Sequence, residues 1–225
     1  MKYGVIVFPG ASSARECRDV IERMGHSAQL IWHQDTDISD SDCLLLPSGH
    51  SYGDYLRPGA IAKLSPIMQS VEAFARNGGT VIGMGNGFQI LLEAGLLPGG
   101  VLMNASGKYV CKPQKVKVES TSSPLTCALT RGLTLTLPIE HRFGNYQVDH
   151  STLEAMKNRG QIILTYEDNP NGSTMGIAGI CNEARNVVGM MPHAQKAADD
   201  QLGLTDGRIM FESVASWARG GNRIG

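Results

Sequence analysis

The chain opens on a continuous apolar run, Tyr3-Gly-Val-Ile-Val-Phe8, with no polar alternation. A strand covered on both faces reads this way, because neither side meets water. Pro9-Gly10 ends it, and Ser12 or Ser13 can cap a helix that runs to Met24 and stops at Gly25. Ser27 to Trp32 and Asp42 to Pro47 read as the next strands. Ile61 to Arg76 reads as one amphipathic helix and Thr80 to Met84 as a fourth strand. Strand and helix alternate through this half, which predicts parallel βαβ units with right-handed crossovers.

The second half has a different texture. Lys115 to Glu119 alternates charged and apolar residues, so it predicts a half-exposed strand. Leu133 to Ile139, Gln161 to Tyr166, Met175 to Cys181 and Val187 to Met191 follow as strands with few helices between. Gly207 to Ala218 closes as a helix, and residues 219 to 225 are expected to fray. The predicted fold class is α/β: a doubly wound, mostly parallel sheet with helices on both faces, plus extra β strands in the second half. Residues 1 to 225 read as a single domain. Ligands of such a sheet bind at the carboxyl ends of its strands. The turns after Phe8, Pro47, Met84 and Met191 all fall at that edge.

Composition narrows the function classes. A formal net charge of −1 over 225 residues argues against nucleic acid or an anionic membrane surface as partner. No apolar run approaches the ~20 residues of a membrane span. The opening MKYGVIVFPGASSA has the outline of a signal peptide, but its apolar run is short for one, so a cytoplasmic location is expected. The five cysteines, Cys17, Cys43, Cys111, Cys127 and Cys181, are odd in number and form no CxxC pair. They predict reduced, mostly buried thiols rather than a disulfide framework or a metal site.

The stretch TVIGMGNGFQILLEAG, residues 80 to 95, carries the sharpest signal: a strand, a glycine-rich turn and a helix. A dinucleotide loop would need G-x-G-x-x-G after a first strand. Here Gly83, Gly85 and Gly87 give G-x-G-x-G, with Phe88 where the third glycine should stand and its ring expected to block close helix–strand packing. A tight βα turn made with glycine for steric reasons is the plain reading. The third is a nucleophile elbow, whose strained apex lifts a side chain over the sheet and aims the next backbone N–H at the reacting oxygen. Yet the apex, Met84-Gly85-Asn86, has nothing that can attack.

The surrounding chain favours the elbow. YGVIVFPG at the start, WHQDTDI (32 to 38), SYGDYLRPGAIAKLSPIM (51 to 68), NGFQILLEAGLLPG (86 to 99), NPNGS (169 to 173), IAGICNE (177 to 183) and VVGMMPH (187 to 193) follow one another in order. In them the chain resembles, nearly end to end, the glutaminase subunit of formylglycinamidine ribonucleotide (FGAM) synthase, a class I (triad) glutamine amidotransferase with a flavodoxin-like fold. That family hydrolyses glutamine with a Cys-His-Glu triad. The resemblance puts Gly85 at the nucleophile position, His193 at the triad histidine and Gln195 at the triad glutamate. It also implies a substrate and oxyanion pocket at Gly49, His50, Asn86 and Gln89, and a loop near site and partner carrying Ser51, Tyr52, Asp54 and Arg57. The family's Pro-Gly-Gly-Phe turn reads Pro47-Ser48-Gly49-His50, and its Pro-Ile-Ala-His-Gly-Glu-Gly segment reads Pro138-Ile-Glu-His-Arg-Phe-Gly144. His50 and His141, which fall in these two segments, are further candidates for chemistry.

Hydrolysis through a thioester needs a thiolate, and Gly85 has no side chain. A neutral Gln195 cannot stabilise an imidazolium as a carboxylate does. None of the five cysteines lies at an elbow. The expectation is a subunit with a degenerate triad, inactive or weak as a glutaminase alone, partnered with an ATP-dependent FGAM-synthase-like large subunit. No cofactor or metal of its own is expected, since ATP and magnesium would belong to that partner. Two alternatives stand beside it: an active glutaminase supplying ammonia from glutamine, and a module binding an amine or amino acid in a pocket enlarged at Gly85.

Overall fold

The computed structural model describes residues 1–220. In chain order they form β1 (Lys2–Val7), α1 (Ala14–Arg23), β2 (Ser27–Trp32), β3 (Cys43–Leu46), α2 (Ile67–Arg76), β4 (Thr80–Met84), α3 (Asn86–Glu93) and β5 (Gly100–Leu102). Then come β6 (Val110–Val118), β7 (Thr134–His141), β8 (Asn145–Gln147), α4 (His150–Asn158), β9 (Ile162–Tyr166), β10 (Ile177–Cys181), β11 (Val187–Met190) and α5 (Arg208–Arg219). Arg219 ends α5 and Gly220 caps it, and the remainder of the segment expected to fray, 221 to 225, lies outside the described residues. No described helix is long and apolar enough to cross a membrane.

One sheet of nine strands runs β2-β1-β3-β4-β11-β10-β9-β6-β7. The pairs from β2 to β11 are parallel, and those from β11 to β7 antiparallel. Only β10 and β6 therefore run against the other seven. The continuous apolar runs are buried on both faces, as their pattern predicts. Val5, Leu45 and Ile82 face one core with Ile21 of α1 and Met210 of α5. Their neighbours Ile6, Leu44 and Val81 face the other, with Val71 of α2, Leu91 of α3 and Met156 of α4. A one-residue slip would exchange the two cores, so the register is strongly specified.

The structure departs from the sequence reading in three places. The helix expected over 61 to 76 is broken. Residues 62 to 64 form a 3-10 turn, Ser65 is extended at φ −64°, ψ 143°, and α2 starts only at Ile67. Pro66 is the cause: its ring disfavours the helical region for the residue before it and it has no N–H to give. Secondly, the sequence reading contains no helix at α4, although a start signal is present: Asp149 caps it by accepting from the Thr152 N–H at 3.0 Å. Thirdly, β5 and β8 pair in a separate two-stranded ribbon. These strands are too short for any periodicity to show.

Candidate functional site

Strand β4 and helix α3 meet at Gly85, which adopts φ 53°, ψ −112°. This is a strained region for any residue with a β-carbon, and glycine occupies it freely. The turn is as sharp as the elbow reading expects. Its base is held by the Gly85 N–H donating to Met190 O at 2.8 Å. Close helix packing depends on Gly87, where a β-carbon would overlap the carbonyl oxygen of Leu46. Phe88 does not obstruct that packing, contrary to expectation. Its ring turns instead onto Gly189 of β11, where glycine leaves room for it.

A cavity of about 380 Å³ opens over this apex. Gly49, His50, Asp54, Gly85, Asn86, Gln89 and His193 line it, drawn from the carboxyl ends of β3, β4 and β11. A β-carbon on Gly85 would stand 3.0 Å from His193 Nε2 and 2.9 Å from the Ser48 β-carbon. The space above Gly85 is therefore partly filled by Ser48 and His193. Gln195 lies behind the imidazole. Its Nε2 donates to Ser48 Oγ at 3.0 Å and stands 3.5 Å from His193 Nδ1. His193 Nε2 and Gln195 Oε1 are buried without a partner. Burial pushes the His193 pKa down to about 3, helped by the nearby Lys196 charge and opposed by Glu140. The ring is neutral at ordinary pH.

Asn86 and Gln89 join the surrounding loops. The Ser51 N–H donates to Asn86 Oδ1 at 3.1 Å, Asn86 Nδ2 to Gln89 Oε1 at 2.9 Å, and Gln89 Nε2 to Phe143 O at 2.6 Å. Asp54 presents one buried oxygen without a partner. Desolvation raises its pKa, with His50 acting against the shift.

Of the four residues expected on the loop near site and partner, only Asp54 lines the cavity. Ser51 is buried behind it and reaches the site through its N–H to Asn86. Tyr52 turns its hydroxyl to His33 Nδ1 at 2.9 Å and Ser65 Oγ at 3.0 Å. Arg57 is exposed and pairs with Glu93 of α3. Pairing across 36 residues is invisible to local pattern, and a charged residue in a loop has no periodicity to read. Conversely, the cavity includes groups that sequence reasoning did not select: Tyr109, Glu140 and Lys196, the last two ion-paired at its rim. His141, a candidate from its segment, does line it. Its pKa is pushed down to about 4 by burial, and its Nε2 has no partner. Among the described residues, no group of three or more His, Cys, Asp or Glu could hold a metal ion.

The arrangement as a whole is a strained strand–turn–helix apex under a buried neutral histidine, at the carboxyl edge of a doubly wound sheet. A family model for the CobB/CobQ-like glutamine amidotransferase domain matches residues 1–203. A phosphoribosylformylglycinamidine synthase subunit PurQ from Rubrobacter xylanophilus is 48% identical over 219 residues, covering 97% of this chain and all of that one. The chain belongs to the PurQ family of glutamine amidotransferases. A PurQ subunit from Koribacter versatilis is 47% identical over 224 residues, covering 95% of this chain and 97% of that protein. Among solved structures, a chain of PurLQS from Thermotoga maritima matches with a TM-score of 0.90 at 36% identity, over 96% of this chain and 98% of that one. The glutaminase domain of a CTP synthase from Trypanosoma brucei shares the fold at a TM-score of 0.62 and 10% identity, over 96% of this chain and 94% of that one. The PurQ fold thus accounts for the sheet order.

Proposed function

We propose that this chain is a PurQ-type subunit whose own glutaminase chemistry has been lost. It serves as partner subunit to an ATP-dependent synthetase of the FGAM-synthase kind. One observation carries this reading: the elbow is present in its strained geometry at φ 53°, with His193 above it, and the apex residue is glycine. Gly85 then stands at the nucleophile position, His193 at the triad base and Gln195 at the triad carboxylate. Without a thiolate no acyl-enzyme forms. Residual oxyanion and binding contributions of about 10³-fold over water would not sustain a metabolic flux. ATP and magnesium would be handled by the partner. Ammonia, or another amine supplied directly, would replace the glutamine-derived amine.

The test is ammonia release from glutamine, with and without the synthetase large subunit, together with co-purification of the two. Expected are no release above a no-protein control and a stable complex. Release by the chain at a useful rate, or no association, would overturn the reading.

An amine-binding role has one observation in its favour. His141 Nε2 and one Asp54 oxygen, both on residues that line the cavity, are buried acceptors without partners. A melting-temperature screen of amines and amino acids, glutamine included, separates this role from a purely structural one.

A further inference from the structure

We infer that Ser48 is a positioning residue that keeps this site closed to a nucleophile, so that Gly85, Ser48 and Gln195 act as one unit. The inference rests on reading Gly85 as the nucleophile position. A β-carbon at Gly85 would lie 2.9 Å from the Ser48 β-carbon, closer than real β-carbons approach one another, with His193 Nε2 at 3.0 Å as the other neighbour. Such a contact forces a shift, and neither backbone can easily supply it. Ser48 is 1% exposed, so its side chain has no solvent to swing into. The turn behind it is packed, since a β-carbon on Gly49 would stand 2.7 Å from Ser12 N and 2.8 Å from Ala11 Cα. On the far side, α3 is pressed on β3 through Gly87, where no β-carbon fits.

The third member of the unit is chemical rather than steric. Ser48 Oγ accepts from Gln195 Nε2 at 3.0 Å. A glutamate at position 195 would accept from the Ser48 hydroxyl instead, so its carboxylate would be shared between Ser48 and His193 Nδ1. Restoring the apex thiol and the carboxylate together would therefore leave a displaced thiol and a distracted carboxylate. Removing the Ser48 side chain relieves both at once.

The experiment compares Gly85→Cys/Gln195→Glu with the same pair carrying Ser48→Gly or Ser48→Ala. Two readouts are taken: the pH profile of iodoacetamide alkylation of the introduced apex thiol by peptide mass spectrometry, and ammonia release from glutamine. With Ser48 present, the apex thiol should alkylate slowly, with the profile of an ordinary thiol near ~8.5. With Ser48→Gly only the His193 contact remains, and a shift of the imidazole by a few tenths of an ångström lets the thiol seat against it. Its profile should move to lower pH, and alkylation at neutral pH should rise by about tenfold or more. Ser48→Ala keeps the β-carbon and should leave alkylation of the apex thiol as slow as with Ser48, although it frees the carboxylate at position 195 from the hydroxyl. Should the triple variant not fold, Ser48→Gly/Gly85→Cys with Gln195 retained supplies the alkylation contrast.

Equal reactivity of the apex thiol with Ser48 and with glycine at position 48 would overturn the inference. Equal reactivity with alanine and glycine would overturn the β-carbon as the cause. The alkylation contrast tests Ser48 irrespective of chemistry on glutamine. A reactive apex thiol in a triple variant that still releases no ammonia would instead count against Gly85 as the nucleophile position. Ammonia release by the wild-type chain would sink the proposed function while leaving the comparison among variants intact.

Discussion

Asn104 Oδ1 accepts from His141 Nδ1 at 3.1 Å and from the Gly144 N–H at 3.0 Å. The amide cannot be turned the other way, because its Nδ2 donates to Lys108 O at 2.8 Å and His141 O at 3.0 Å. His141 must therefore carry its proton on Nδ1, which leaves its buried Nε2 a bare acceptor. Asn104 ties the loop after β5 to the turn after β7 through these hydrogen bonds.

Asn104→Ala removes all of them and leaves buried backbone groups unmet. The expected cost is about 2–4 kcal/mol. For a chain of this size that corresponds to a fall in Tm on the order of 5–15 °C, read by calorimetry. In the same variant the His141 proton should no longer be confined to Nδ1, which nitrogen NMR of the imidazole reads. An unchanged tautomer would show that Asn104 does not fix it.

Two of the three buried histidines, His141 and His193, predict an acid-sensitive fold. Both are neutral in the native state, with pKa values pushed down to about 3 for His193 and about 4 for His141. Unfolding returns each to ~6.5, so below that pH the unfolded chain binds more protons. Their stabilising contribution is complete above pH ~6.5 and is lost as pH falls towards the native values. At pH ~5 each should cost roughly 2 kcal/mol relative to neutral pH. Urea unfolding at the two pH values measures this, and His193→Gln should remove roughly 2 kcal/mol of the difference. A variant with the wild-type slope would show that His193 is not the group responsible.

Lys196 stands beside Glu140 and close enough to His193 to depress its pKa. Lys196→Met removes that charge and leaves Glu140, which favours the imidazolium. The His193 pKa should rise, and Glu140→Gln should move it the other way. An NMR titration of His193 reads both signs. A shift of the same sign in both variants would contradict the assignment.

Glycine substitutions should separate close approach from backbone angle. Gly87→Ala would drive a methyl group into Leu46 O, with a cost of about 3 kcal/mol or more, or loss of soluble protein. Gly107 sits at φ 69° with open space around its β position, so Gly107→Ala should cost only about 1 kcal/mol of backbone strain. Comparable melting temperatures for the two would refute the close-contact account.

The thiols should react in order of exposure. Cys111 is exposed, whereas Cys17 and Cys43 are fully buried and their pKa values are pushed up by desolvation. A chromogenic disulfide reagent should label Cys111 first, and Cys111→Ser should remove that fast phase. Fast labelling that persists in the variant would place a reactive thiol elsewhere.

Much of this protein was legible along the chain. The buried strands announce themselves by unbroken apolar runs, because burial on both faces leaves no position for a polar residue. The elbow is legible as strand, glycine turn and helix within one short stretch, and the absence of an attacking group at Gly85 is plain from the sequence alone. The break at Pro66 follows from a local rule that the periodicity of 61 to 76 conceals. What local pattern cannot express is convergence. Ser48 and Gln195 are 147 residues apart and meet only because β3, β4 and β11 are neighbours in the sheet. The same holds for Asn104 and His141, whose contact sets a proton's position, and for Arg57, which pairs with Glu93 away from the cavity. Periodicity records which face of an element is buried. Which side chains meet across elements is decided by sheet order and packing, and here that decided how the space above Gly85 is filled.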